Sequence, residues 1–387
     1  MKKSNSSFAY FGLVFTSFAT LFATLFATLV TLDAFFPRAA LAISEASYAV
    51  DYSQKVMSFY SSASGVQGHF VGLDGVSIEY KKFEIQDEEA AIVISSGRTE
   101  SFIKYAEVIY DLTHSGRKFS VYALDHRGQG FSGRMTPNPQ VGYVSEFQDY
   151  VSDFKYFIDH VVNGSMKHTH LYVLSHSMGA AIATRYVQEY PGVIEKLVVS
   201  SPMFQLKLLS NSEEERFKDP KTQSIYRSLY EEAALGETAF ASNVLGQGMQ
   251  YAPGQDDLNP NQSRNEGIVT HSDARWNSSQ QNKVDFPELR LGGASFGFVW
   301  QSILATRLIQ NEASSIRIPV LMLKAEPKNE LVVESEGQDR FFSRLPKGCR
   351  ISKQCRKVVV SGAWHEILME KDSMRDLAFK EIFDFLK

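Results

Sequence analysis

The sequence predicts an α/β fold: a mostly parallel sheet with helices on both faces and a cap inserted before the last strands. Three observations predict it. Between residues 90 and 200, short continuous apolar runs alternate with helically spaced ones, the pattern of strands buried on both faces. That rhythm stops at Pro202 and resumes at Ile318. The apolar run Leu171-Tyr172-Val173-Leu174 leads into Ser175-His176-Ser177-Met178-Gly179, a serine on a strand-to-helix turn with small residues two positions to either side.

The bulk composition is that of an enzyme-sized globular body. The chain has 387 residues, 44% hydrophobic and 22% charged, with a formal net charge of -4. That charge gives no reason to expect a nucleic-acid partner. Two cysteines are too few for a disulfide framework.

The N-terminus is different in kind. Lys2 and Lys3 precede an uncharged run over 8–32, followed by Asp33, Arg38 and Ala40-Leu41-Ala42. A basic start, an apolar run and a small-residue site describe a secretory signal peptide. The run also has the length to span a bilayer as a retained anchor. Either way the lysines favour an N-terminus inside and a body outside. The repeated Phe-Ala-Thr-Leu unit reads as low-complexity helix filler without chemistry.

After this leader, 45–64 reads as a surface helix with Tyr and Phe on one side. Residues 68–72 and 77–83 alternate around Asp74-Gly75, a hairpin signal. An apolar strand at 90–94 ends in Ser95-Ser96-Gly97-Arg98. Helical spacing follows through Ile103, Val108 and Leu112 until Gly116. The strand at 119–124 ends in Asp125-His126-Arg127, which reads as a hydrogen-bonded turn bracing the sheet edge. An amphipathic helix spans 146–162, the elbow helix 178–190, and a strand 196–200. The irregular text of 203–315 reads as a cap over the site, or alternatively as a second packing layer. A strand at 318–323, a helix at 335–345, a strand at 357–360 and a helix at 373–386 close the chain. The division is therefore 1–42, signal peptide or anchor; 43–202, first part of the core; 203–315, cap; and 316–387, second part of the core.

A serine hydroxyl needs a base within hydrogen-bond reach to act as a nucleophile. In a strand-elbow architecture the order is serine, acid, histidine. His365, in Gly362-Ala363-Trp364-His365 just after a strand, stands where the base belongs. His271 lies in the insertion and reads as a surface or cap residue; His176 is expected to turn away from its neighbour Ser177. The acid should follow the strand at 318–323, where Glu326, Glu330 and Glu334 precede the first aspartate, Asp339. Glu330, just ahead of Leu331-Val332-Val333, is favoured over Glu326 as the group that orients the imidazole. A tetrahedral oxyanion needs two backbone donors, here the amides of Met178 and of Arg98. The Arg98 side chain is free to meet an anionic head group as well.

The stretches Gly97-Arg98-Thr99-Glu100-Ser101, Asp125-His126-Arg127-Gly128-Gln129-Gly130, Ser175-His176-Ser177-Met178-Gly179 and Gly362-Ala363-Trp364-His365-Glu366-Ile367-Leu368 carry a resemblance. They are similar to those of the α/β-hydrolases of the monoacylglycerol lipase and lysophospholipase group, especially its bacterial inner-membrane lysophospholipases. The likeness runs from about residue 68 to the C-terminus and is weakest in the insertion. It implies an α/β-hydrolase core with a mobile cap, no metal or organic cofactor, and hydrolysis of single-chain acyl esters of glycerol or glycerophosphate. It also implies a glutamate where other members have aspartate, in favour of Glu330. Ser175 departs from the usual glycine of the elbow.

The resulting expectation is a serine hydrolase cleaving lysophospholipids through an acyl-enzyme, exported across or anchored in a bacterial inner membrane and working at its surface. No nucleic acid or protein partner is expected. Monoacylglycerol lipase or general carboxylesterase activity is the rival within enzymes, and a non-catalytic binding protein on the same fold the rival outside them. Arg344, Lys347, Arg350, Lys353, Arg356 and Lys357 enclose Cys349 and Cys355 and are expected to form a basic loop beside the site, attractive to anionic lipid. In an exported body the two cysteines are placed to form a disulfide.

Overall fold

The computed structural model describes residues 43–207, 236–259 and 269–387. The leader and parts of the insertion lie outside these described residues.

Among the described residues, the alternation read from the sequence resolves into one eight-stranded sheet. A first helix runs through Tyr48–Asp51, Tyr52–Met57 and Ser58–Tyr60, its middle segment wound as π (α1). The hairpin is β1 (Gly65–Val71) and β2 (Ser77–Phe83). Then come β3 (Ala90–Ser95), α2 (Ala106–Thr113), β4 (Phe119–Leu124), and α3 (Phe147–Tyr156), which continues as π through Phe157–Val162. The elbow strand is β5 (Leu171–His176) and its helix α4 (Ser177–Glu189), followed by β6 (Lys196–Ser200). The insertion contains α5 (Asp273–Asp285) and α6 (Phe296–Asn311). The chain closes with β7 (Val320–Ala325), α7 (Ser335–Arg344), α8 (Lys347–Ile351), β8 (Cys355–Val360) and α9 (Asp372–Leu386).

The strand order is β1-β2-β4-β3-β5-β6-β7-β8. Only the β1–β2 and β2–β4 pairs are antiparallel. Because side chains alternate across a strand, the continuous apolar runs feed two cores at once. Val93, Tyr122, Val173, Val199 and Met322 enter one, which α3, α4 and α6 cover with Phe154, Ile182, Tyr186 and Ile309. Ile92, Val121, Leu174, Val198 and Leu323 enter the other, beneath α1, α2 and α9 with Val56, Val108, Phe379 and Ile382.

The insertion does two jobs. Its segment around Gly292-Gly293 lies on the loop after β4: the Gly142 amide donates to the Gly293 carbonyl and the Gly292 amide to the Gln140 carbonyl. Its helix α6 belongs to the first core. The start of α5 is pinned to the body, since buried Arg275 donates two hydrogen bonds of 2.9 Å to Glu107 and one of 2.8 Å to the Glu370 carbonyl.

The basic loop is not beside the site. Arg344, Lys347, Arg350 and Lys353 precede β8 and Arg356 and Lys357 begin it, whereas His365 follows β8, and a six-residue strand puts about 20 Å between its ends. Two of its charges are also paired locally, Lys357 with Asp339 at 2.7 Å and Arg356 with Glu381 at 3.6 Å. Cys349 and Cys355 form a disulfide there.

Candidate active site

The elbow is tight for reasons of backbone contact. Ser177 has φ +49°, a left-handed conformation that a non-glycine residue adopts at a cost of about 1–3 kcal/mol. Two residues on, Gly179 packs against the end of β3: a Cβ there would lie 2.3 Å from the Ser95 carbonyl oxygen and 2.4 Å from that of Ser96. No side chain fits. Ser175, on the other flank, fits because it lies inside the sheet and donates its hydroxyl to the Val198 carbonyl at 2.8 Å.

The structure brings Ser177, His365 and Glu330 together. His365 Nε2 lies 3.0 Å from Ser177 Oγ, and Nδ1 lies 2.9 Å from both Glu330 carboxylate oxygens. All three residues are buried. A carboxylate at Nδ1 fixes the proton there and leaves Nε2 as acceptor for the serine hydroxyl. Burial alone would raise the Glu330 pKa, but facing His365 and the Val332 and Val333 amides outweigh it and hold the acid below its ordinary value. Burial works against the His365 imidazolium, yet Glu330 overcomes it and raises the pKa above the usual 6.5. This is the arrangement of nucleophilic acyl transfer.

Glu326 is occupied elsewhere. Its carboxylate accepts from the Ser361 hydroxyl at 3.2 Å and the Gly362 amide at 3.4 Å, fastening the turn that carries His365. The Glu334 amide donates to the Gln205 carbonyl at the start of α7, and Asp339 is ion-paired to Lys324 and Lys357. His271 stands against Trp364, ring centroids 4.0 Å apart, with Nδ1 2.8 Å from Glu370.

The His176 ring packs 4.8 Å from that of His365, centroid to centroid, with Nδ1 3.2 Å from the Ser200 carbonyl. Burial drops its pKa to about 4, so the ring is a neutral neighbour. The Asp125-His126-Arg127 turn is a brace. Asp125 accepts from the Ser101 hydroxyl and from the Phe102 and Phe131 amides, and Arg127 grips Asp153 with two hydrogen bonds.

Met178 follows Ser177 at the start of α4, where helix amides lack intrahelical acceptors. The loop bearing Arg98 is held on both sides. The Gly97 amide donates to Glu100 at 2.6 Å and its carbonyl accepts from Gln129 at 2.7 Å, while Thr99 takes φ +64°. Sequence reasoning missed what holds Glu100. Its carboxylate also accepts from the Tyr105 hydroxyl and from Lys104, which reaches on to Glu366 beside His365. The i,i+4 spacing of Glu100 and Lys104 was the visible signal.

The chain matches the Hydrolase_4 family, described as serine aminopeptidase, S33, over residues 86–372. It is 34% identical to lysophospholipase L2 of Escherichia coli over 326 residues, covering 82% of this chain and 86% of that protein. It is 30% identical to the probable lysophospholipase L2 of Haemophilus influenzae, covering 81% and 90%. Among solved structures it is similar to a soluble variant of monoglyceride lipase from Saccharomyces cerevisiae, with TM-score 0.60, 16% identity and coverage of 84% and 95%. The monoacylglycerol lipase of Paleococcus ferrophilus gives TM-score 0.56 at 19% identity, covering 80% and 98%. At such identities these two structures speak for the fold, that of the α/β-hydrolases.

Proposed function

Because the chain belongs to the Hydrolase_4 family, we propose that it is an ester hydrolase acting on lysophospholipids, with Ser177 as nucleophile, His365 as base and Glu330 as the group that orients it. The observation that carries this is the 3.0 Å contact between His365 Nε2 and Ser177 Oγ at an elbow serine with φ +49°. The names of the Escherichia coli and Haemophilus influenzae relatives support the substrate class.

In the reaction, His365 takes the Ser177 proton as Oγ adds to the acyl carbonyl. The oxyanion is received by the Met178 and Arg98 amides, pre-set donors that need no reorganisation. The imidazolium, stabilised by Glu330, passes its proton to the glycerol oxygen, and the glycerophosphate alcohol leaves. Water, deprotonated by His365, then cleaves the acyl-enzyme and releases the fatty acid.

Residues 203–315 act as the cap of the site in this reading. Exposed Phe240, Val244, Leu245 and Met249 in the insertion support contact with lipid. The leader 1–42 directs export or anchoring, and the Cys349–Cys355 disulfide supports an oxidising compartment. Among the described residues no helix is long and apolar enough to cross a membrane.

The test is fatty-acid release by the purified protein from lysophosphatidylethanolamine and from monoacylglycerol, with Ser177→Ala as control. Preference for the lysophospholipid is expected. Preference for the neutral lipid would move the protein to monoacylglycerol hydrolysis, and release unaffected by Ser177→Ala would sink the mechanism.

A further inference from the structure

Arg98 sends its side chain away from the Glu100–Lys104–Glu366 network and toward the insertion. Nη2 donates to the Gly292 carbonyl at 2.6 Å, and the guanidinium lies 5.3 Å over the Phe298 ring. Gly142 abuts it so closely that a Cβ there would sit 2.5 Å from Nη2. Nε is closed off from solvent and has no acceptor. The charged or titratable groups facing the guanidinium are Tyr150 and Tyr251, and no carboxylate of the described residues forms an ion pair with it. Burial without a counter-ion pulls its pKa down.

A cation removed from much of its water without an anion costs free energy that an arriving anion would recover, and Arg98 as a residue is only half-buried. A guanidinium carries five donors in a rigid fork suited to phosphate oxygens; here Nε is sealed from solvent and Nη2 is held by Gly292, which leaves Nη1 and the charge itself to meet an arriving anion. The Arg98 backbone amide is also the proposed oxyanion donor, so the guanidinium is tethered by its own three-methylene stem to the place where the acyl carbonyl would sit. In a lysophospholipid the phosphodiester is joined to that carbonyl through the short glycerol unit.

We propose that the Arg98 guanidinium binds the head-group phosphodiester of the substrate, so that charge recognition and oxyanion stabilisation come from one residue. This rests on the lysophospholipid reading and names the group that sets it apart from neutral esters. It differs from a purely structural latch to Gly292, which would serve every substrate alike.

The test uses the full chain and the variant Arg98→Gln, which keeps the backbone amide and side-chain donors but removes the charge. The quantity read is the ratio of kcat/KM for lysophosphatidylethanolamine to that for monoacylglycerol of the same acyl chain, so that losses common to both cancel. The ratio should fall about 30-fold, the size expected of a lost charged hydrogen bond, with Arg98→Lys in between. An unchanged ratio would overturn the proposal. A second measurement is independent of turnover: calorimetric binding of glycerophosphoethanolamine and of inorganic phosphate to Ser177→Ala, with and without Arg98→Gln. Binding of the diester that Arg98→Gln abolishes supports the site, and equal binding or none overturns it. Inorganic phosphate binding as well as the diester would show a general anion site. If the wild type cleaves only the neutral ester, the substrate reading fails by itself while this binding arm still judges Arg98.

Discussion

Lys104 holds Glu100 and Glu366 at once, its Nζ 2.7 Å from one carboxylate and 2.5 Å from the other. Glu100 fixes the Gly97 amide and Glu366 adjoins His365, so a single ammonium ties the loop after β3 to the loop after β8. These two loops carry opposite sides of the proposed reaction, and their register is set by a buried ion network.

Replacing that ammonium leaves two carboxylates without their cation. Lys104→Met should lower stability by about 3 kcal/mol, because breaking a buried pair strands the remaining charge. Urea unfolding monitored by circular dichroism measures it, and a loss of under about 1 kcal/mol would show the network to be dispensable.

The acid limb of the pH profile follows from His365. The reaction needs its neutral imidazole, and Glu330 raises its pKa above 6.5 against the effect of burial. Activity should therefore fall as pH drops through a value above 6.5. Glu330→Gln should lower kcat by roughly 10³–10⁴-fold and move that limb to lower pH. Glu326→Gln, which loosens only the turn at Gly362, should cost less than about 10-fold. Equal losses in the two variants would mean that the orienting acid has been misassigned.

At the elbow, Gly179→Ala should cost more than about 3 kcal/mol or prevent folding, since its Cβ would meet backbone that cannot yield. Ser175→Gly, although it restores the usual elbow glycine, should also lose about 1–2 kcal/mol through the hydrogen bond to Val198 and added chain freedom. A thermal melt of both variants checks the order of the two effects.

The variant Cys349→Ser/Cys355→Ser removes a short cross-link, worth about 2 kcal/mol from its loop length. Because the cross-link lies across the sheet from Ser177, kcat should change less than about twofold. A large loss of kcat at full folding would mean that the loop reaches the site.

What the sequence made legible was local. The apolar runs at Ile92, Val121, Leu174 and Leu321 declare buried strands because both faces of each must be apolar. The small residues around Ser177 declare the elbow, because only they let strand and helix approach. Glu330 and His365 were found from chain order and loop position. The Lys104–Glu366 pair was not, since nothing in either neighbourhood signals a contact 262 residues away. The ring of His176 near His365 went unforeseen for the same reason. The basic stretch is close to His365 in the chain but not in space, because most of β8 intervenes.

That strand gives the molecule a polarity. Exposed Lys347 and Lys353 lie at one end of β8, while His365 and Ser177 lie at the other. A body resting on an anionic bilayer through those lysines would point its nucleophile at the aqueous phase and would have to capture single-chain lipid already dissolved or carried in micelles. A body resting on the apolar side chains of its insertion would turn the same lysines outward and draw its lipid straight from the leaflet.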